Sequence, residues 1–199
     1  MNNLRYILPI LTALYFIFLF LIRGIAVARQ IGKNPIVLSS ADNAYGLIAK
    51  YFGAWMILLA GYVAVFSLYP AGYAYFLPIS YLESTSFKML GLIILVISLV
   101  WTYFAQKNMR KSWRVGIDEE QKTDLVTTGI FHYSRNPIYL GMMVAVTGFF
   151  LVTPNALTLL LMTIGYILIQ IQVRLEEEFL LKMHGQSYLD YKTGVNRFI

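Results

Sequence analysis

Five long apolar segments constrain this chain more than any other feature of its sequence. A helix crosses the roughly 30 Å of bilayer hydrocarbon with about 20 residues, and four of the segments have about that length. The fourth has about 15 residues, or roughly 22 Å of helix, so we expect it to begin or end short of one membrane surface. The pattern predicts an all-α integral membrane protein with five transmembrane helices. The segments are residues 4–22, 48–68, 87–105, 138–152 and 155–173.

Composition agrees with a membrane protein and excludes several kinds of site. Of the 199 residues, 58% are hydrophobic and 13% are charged, whereas soluble domains are about half apolar and about a quarter charged. The chain has no cysteine, which excludes disulfides, thiolate metal sites and a cysteine nucleophile. Because His132 and His184 are too few for a histidine-rich metal centre, we expect no metal site.

The N-terminus loosely resembles a secretory signal peptide, because Arg5 and an apolar run precede the small residues 26–28. The run is longer than the apolar core of a signal peptide, and Arg23 and Arg29 flank the supposed cleavage site. We therefore expect this segment to be retained as the first transmembrane helix.

Positive charges predict the orientation in the membrane. Loops on the cytoplasmic side are rich in lysine and arginine, and all such residues except Arg5 and Lys88 follow the first, third or fifth segment. We expect the N-terminus outside and the C-terminus in the cytoplasm, as five spans also require. The net charge of +6 then needs no nucleic-acid partner. The residues concerned are Arg23, Arg29, Lys33, Lys50, Lys107, Arg110, Lys111, Arg114, Lys122, Arg135, Arg174, Lys182, Lys192 and Arg197.

A polar cluster, residues 133–136, stands directly before the fourth segment. Pro137 suits the first helical position, and Asn136 then suits the N-cap, held extended because a proline follows it. Arg135 is thereby placed at the mouth of a helix that enters hydrocarbon, where an arginine needs an anionic partner. The best candidates are the three successive glutamates that follow the fifth segment, Glu176, Glu177 and Glu178.

A helical hairpin is expected to bring these groups together. Residues 153–155 predict a tight turn in which Pro154 starts the next helix, so the fourth and fifth segments become antiparallel neighbours. After Val173 the apolar residues recur with helical spacing, and Gly185 is expected to break or bend the helix. We predict a cytoplasmic C-terminal helical segment that lies over the mouth of the hairpin. An interfacial anchor without a role in any site is the alternative.

The residues expected at this mouth suit a particular ligand chemistry. Glutamates can bind a cation or a hydroxyl group, an arginine can bind an anion, and Tyr133 or Tyr139 can face a cation. S-adenosylmethionine carries an ammonium, a carboxylate, a ribose diol, an adenine and a sulfonium. The sequence has no glycine-rich turn between a strand and a helix, so helices and loops would have to bind such a ligand.

Six sequence motifs follow one another in the second half of the chain, at residues 113–117, 125–129, 133–141, 176–181, 184–191 and 195–198. Their order and spacing resemble the isoprenylcysteine carboxyl methyltransferase family, to which the phospholipid N-methyltransferases are related. The resemblance covers about residues 101–199. It implies a single membrane domain, residues 1–199, with variable N-terminal helices in residues 1–86 and a methyltransferase core with its cofactor site in residues 87–199.

By this resemblance the protein would bind S-adenosylmethionine at the cytoplasmic side and take a lipophilic acceptor from the bilayer between its helices. Arg135 and Asn136 would be the catalytic residues, nearest the reacting groups. Many family members have histidine at position 136 and proline at position 196, where this chain has asparagine, which removes a possible acid or base from the first position. The implied cofactor-binding residues are Leu125, Val126, Tyr133, Tyr139, Glu176 and Glu177.

Methyl transfer to a carboxylate needs alignment and no general base, and Arg135 can hold such a carboxylate in line with the methyl group. The residues do not decide between a prenylated cysteine carboxylate, a small thiol, a phospholipid amine and an isoprenoid as the acceptor.

Structural interpretations stay open beside these roles: Arg135 can simply fix the hairpin, Tyr139 can belong to an interfacial belt, and Glu178 can pair with Lys182 alone. An NADPH-dependent membrane lipid or sterol reductase and a non-catalytic membrane protein are the alternative functions.

Overall fold

The computed structural model describes residues 3–37, 42–116 and 123–199, and within these ranges the chain is built from helices and short connections. Ile117, at the end of the motif at residues 113–117, and Lys122, one of the positive charges that predict the orientation, lie outside the described residues. The helices are α1 (Leu4–Ile31), α2 (Ala44–Leu68), α3 (Thr85–Met109), α4 (Pro137–Val152), α5 (Ala156–His184) and α6 (Gln186–Gly194).

Four of these helices, α1, α2, α3 and α5, are long and apolar enough to cross a membrane. The prediction of an all-helical membrane protein is therefore confirmed, while the count of five spans and the orientation stay predictions. With 16 residues, α4 is about 24 Å long, shorter than a typical span. With 29 residues, α5 is about 44 Å long, so one end of it must extend beyond the hydrocarbon.

Both N-terminal helices extend beyond the apolar segments that predicted them. The first continues past Ile22 to Ile31, and it ends at Gly32, whose φ of +71° suits glycine. The second begins ahead of its segment because Asn43 caps it: the Asn43 side chain accepts a hydrogen bond from the Gly46 N–H at 2.9 Å. A search for apolar segments does not detect helix ends that consist of polar residues.

The turn between α4 and α5 joins them as the predicted antiparallel pair, but the predicted start of α5 is wrong. Pro154 lies outside the helix, and Asn155 is the N-cap. The Asn155 side chain accepts a hydrogen bond from the Thr158 N–H at 2.9 Å, while the Thr158 hydroxyl accepts one from the Asn155 N–H at 3.2 Å. This reciprocal capping box satisfies two backbone donors, which a proline start cannot do. Asn155 also donates to the Tyr62 hydroxyl of α2 at 2.8 Å, so the turn is fixed to its surroundings.

Glycines let α4 approach α3 until their backbones touch. A Cβ atom on Gly148 would stand 2.9 Å from the Gly91 carbonyl oxygen, and one on Gly91 would stand 2.7 Å from the Gly148 carbonyl oxygen. A Cβ atom on Gly141 would overlap the Thr102 hydroxyl of α3. Small residues allow such close packing of helices, and here the packing is between α4 and α3.

Replacing Gly148 by alanine should therefore destabilise the fold, because two of the three nearest atoms, the Gly91 carbonyl oxygen and the Leu95 nitrogen, are backbone and cannot rotate away. We expect G148A to lower the thermal unfolding midpoint of the detergent-solubilised protein by several degrees. The matched control is G61A in α2, where nothing lies within 4 Å of the added Cβ and alanine favours the helix. An unchanged midpoint for G148A would contradict the close contact of α3 with α4.

Candidate functional site

The C-terminal tail, which comprises α6 and residues 195–199, lies on the loop that leads into α4. The Arg135 N–H donates to the Asn196 carbonyl oxygen at 3.0 Å, and the Asn136 N–H donates to the Arg197 carbonyl oxygen at 3.2 Å. Tyr191 adds a hydrogen bond from its hydroxyl to a loop carbonyl, that of Phe131, at 2.6 Å. The tail therefore covers the start of α4, as predicted.

Glu177 of α5 is at the centre of the polar contacts beneath this tail. Its Oε1 accepts hydrogen bonds from the Arg135 guanidinium, at 3.2 and 3.3 Å, and from the Asn136 amide at 2.9 Å. Its Oε2 accepts two hydrogen bonds from the Arg197 guanidinium, at 2.8 and 3.1 Å. The Glu177 side chain is only 5% exposed, and that of Arg135 is 8% exposed. We call these four residues the Glu177 cluster.

All three guanidinium nitrogens of Arg135 donate within the protein. Besides the bonds from Nε and Nη2 to Glu177, Nη1 donates to the Lys192 carbonyl oxygen at 3.1 Å and to the Val195 carbonyl oxygen. Arg135 thus has the anionic partner that its position required, and the contacts favour the interpretation that it fixes the hairpin and the tail. The catalytic role implied by the resemblance stays a prediction.

Asn136 occupies the predicted N-cap position with Pro137 after it, but its side chain makes no capping hydrogen bond. Its amide group donates instead to Glu177 and to the Arg197 carbonyl oxygen, the latter at 3.1 Å. The backbone, with φ −129° and ψ 55°, is not extended as we expected. A buried hydrogen bond to a carboxylate is stronger than a neutral one, which explains why the side chain turns away from the helix end.

The three successive glutamates have three different surroundings. Glu176 is half-buried and accepts a hydrogen bond from the Tyr139 hydroxyl to its Oε2 at 2.8 Å. Within the part of the chain that the structure describes, its Oε1 has no hydrogen-bond partner. Glu178 is exposed and pairs with Lys182 at 2.7 Å, one turn along the helix. Because successive helical residues differ by about 100° in direction, only one of the three can point to the cluster.

Of the six predicted cofactor-binding residues, only Glu177 belongs to the Glu177 cluster, and the roles of all six stay predictions. Tyr133 is 69% exposed, and Leu125 and Val126 are half-buried in the loop between α3 and α4. Tyr133 lines an open cavity of about 500 Å³ beside the end of α3. We call this cavity the α3 groove; its other lining residues are Phe104, Asn108, Gly129, Ile130 and His132.

Arg197 is the residue that sequence reasoning missed. The sequence places it in the C-terminal motif and in the charge pattern but indicates no role for it. Its hydrogen bonds to Glu177 raise its pKa above the usual value, so it remains charged. The one signal in the sequence for a role of Arg197 was its position inside the C-terminal motif.

Burial raises the pKa of Tyr188 to about 12 and also raises that of Tyr191, so both phenols remain protonated at neutral pH.

In the ranges that the structure describes, no group of three or more histidine, cysteine, aspartate or glutamate side chains is placed to hold a metal ion.

Comparison with known proteins places the same region in a family. A family model described as phospholipid methyltransferase matches residues 86–187, just over half of the chain. A protein-S-isoprenylcysteine O-methyltransferase from Dictyostelium discoideum is 27% identical over 124 residues, which cover 61% of this chain and 52% of that protein. The chain thus spans about half the length of the curated relative it matches. The resemblance seen in the motifs is confirmed.

The Glu177 cluster makes a prediction about stability. E177Q should destabilise the protein by roughly 3 kcal/mol, because removing one partner of a buried ion pair leaves the other charges uncompensated. Thermal unfolding in detergent measures this, and tryptic cleavage after Lys192 should become faster as the tail loosens. E178Q, on the exposed neighbour, should leave both unchanged. Equal stability of E177Q and E178Q would be incompatible with this cluster.

Proposed function

The chain belongs to the phospholipid methyltransferase family, and we propose that it is an integral membrane methyltransferase that moves the methyl group of S-adenosylmethionine to a lipophilic acceptor. The observation that carries the proposal is the pair formed by Glu176 and Tyr139, which lies next to the Glu177 cluster within the matched residues. In keeping with the positive charge of its connections, we propose that this site faces the cytoplasm and that the N-terminus lies outside.

The residues present fit the proposed methyl donor. Glu176 offers a carboxylate oxygen, Oε1, that makes no hydrogen bond to any described residue and suits an ammonium group. Its hydrogen bond with the Tyr139 hydroxyl fixes the tyrosine ring beside it, where a desolvated cation–π contact is worth about 2 kcal/mol. S-adenosylmethionine supplies an electrophilic methyl group on its sulfonium when bound. Leu125, Val126 and Tyr133 stay proposed contacts for the rest of the donor.

The electrostatics of the Glu177 cluster favour an anionic acceptor. Two guanidinium groups face one carboxylate there, so the cluster carries a net positive charge. Asn136, unlike a histidine, has no ionisable group with which to take a proton from a thiol or an amine. Both features suit an acceptor that is already ionised, and we propose the carboxylate of a prenylated cysteine or a similar lipid acid. Arg135 and Asn136 would then orient the reacting groups.

The α3 groove is the proposed entry for the lipophilic part of the acceptor. Phe104 and Tyr133 are exposed on its wall, which is mostly apolar. Residues 129–130 and 132–133 of the loop that carries Arg135 border the groove, and we propose that a chain lying in it directs its polar end toward the Glu177 cluster. The reductase alternative has no support from the family or from the curated relative.

Methyl transfer can be tested directly with the purified protein in lipid nanodiscs. With S-adenosylmethionine carrying a labelled methyl group and an S-farnesylcysteine derivative as acceptor, we expect a labelled ester to form. E176Q should lower kcat/KM by about 100-fold, because it removes the charge proposed to bind the donor, a loss of about 2.7 kcal/mol. E178Q should react like the parent. Binding of NADPH without binding of S-adenosylmethionine would overturn the proposal in favour of a reductase.

Narrowing the α3 groove should affect the acceptor and not the donor. We expect F104W to raise the KM for the S-farnesylcysteine derivative several-fold, because the larger side chain occupies part of the groove. Its affinity for S-adenosylmethionine, measured by calorimetry, should not change. F87W, at the opposite end of α3, is the matched control. The proposed entry is wrong if both variants have the KM of the parent.

A further inference from the structure

Arg197 ties three parts of the protein together from a position near the end of the chain. Its guanidinium binds Glu177 of α5 with two hydrogen bonds. Its carbonyl oxygen accepts from the backbone N–H and from the side-chain amide of Asn136, at the start of α4. The same residue belongs to the tail. A single residue therefore sets the distance between the tail, the loop before α4 and the glutamates of α5.

The neighbouring carboxylates of Glu176 and Glu177 differ in how many of their oxygen atoms accept hydrogen bonds. Both oxygens of Glu177 are occupied by side chains, whereas Glu176 has one oxygen bound by Tyr139 and one that makes no hydrogen bond to a described residue, although the charge of Arg114 acts on this carboxylate. A ligand with a cationic end would find its free acceptor on Glu176. This holds only while Arg197 stays on Glu177, because loss of Arg197 would leave the Oε2 atom of Glu177 without a partner beside the same site.

We propose that Arg197 is a positioning residue for the methyl donor: by occupying Glu177 it leaves Glu176 as the single carboxylate that receives the donor's ammonium group. This inference rests on the proposed function and adds to it a division of roles between the two glutamates. Arg197 does not touch the donor. It acts through Glu177 and through the backbone of Asn136, and thereby fixes where the donor's cationic end lies relative to the loop.

A neutral residue at position 197 should therefore weaken donor binding without abolishing the fold. The probe is S-adenosylhomocysteine, titrated by calorimetry into the full-length protein in nanodiscs. We expect R197Q to weaken its binding about tenfold, by analogy with the loss of metal affinity when the hydrogen-bond partner of a metal-binding side chain is removed. R197K, which keeps the charge but not the planar fork, should recover most of the affinity. R29Q, on the exposed part of α1, should bind like the parent.

Because Arg197 acts through Glu177, the effects of the two residues should not add. The double variant E177Q/R197Q should bind the probe no more weakly than E177Q alone, and the unfolding midpoint of each sample should be measured alongside. Any of three results would overturn the positioning role. These are parent-like binding of the probe by R197Q, a loss of affinity in R197Q that adds fully to that of E177Q, and binding by R197K that is as weak as binding by R197Q.

The failure of this inference can be distinguished from the failure of the proposed function. A parent protein that does not bind S-adenosylhomocysteine would overturn the proposed function, and the role of Arg197 with it. A parent that binds, together with R197Q that binds equally well, would overturn the role of Arg197 and leave the methyltransferase proposal intact.

Discussion

The negative charge of Glu177, almost wholly shielded from water, is the constraint on which the rest of the site depends. An uncompensated charge in such surroundings costs several kcal/mol, so its partners must be present together. They come from three separate parts of the chain: Arg135 and Asn136 from the loop before α4, and Arg197 from the tail. The conformation of the tail and the position of the loop before α4 follow from this one requirement.

The helices supply the frame within which these partners can meet. Contact between glycines of α3 and α4 holds the short helix against its neighbour, and the capped turn at Asn155 fixes its other end to α5. The length of α4, about 24 Å, is less than the hydrocarbon thickness. If the turn lies near one membrane surface, the Glu177 cluster lies at or inside the opposite boundary, where an ion pair is shielded and a lipophilic acceptor can reach it.

The sequence was sufficient for those features that depend on local pattern. We predicted the apolar segments, the hairpin, the break at Gly185 and an anionic partner for Arg135, and the structure contains all four. It was not sufficient where the contacts of a residue depend on how its helix is rotated about its own axis. Because α4 is apolar all round, hydrophobicity did not indicate that its glycines face α3. Likewise, spacing alone did not distinguish Glu177, which takes the arginines, from Glu176. The role of Arg197 depends on that same rotation and on a tail that folds back.

A structure of the protein in a nanodisc with S-adenosylhomocysteine bound would test the different roles of Glu176 and Glu177 most directly. We expect the ligand's ammonium group within hydrogen-bond distance of the Glu176 carboxylate, the Tyr139 ring beside its sulfur, and Glu177 still bound by Arg135 and Arg197. A ligand whose ammonium group lies on Glu177, with Arg197 and the tail displaced, would contradict these roles.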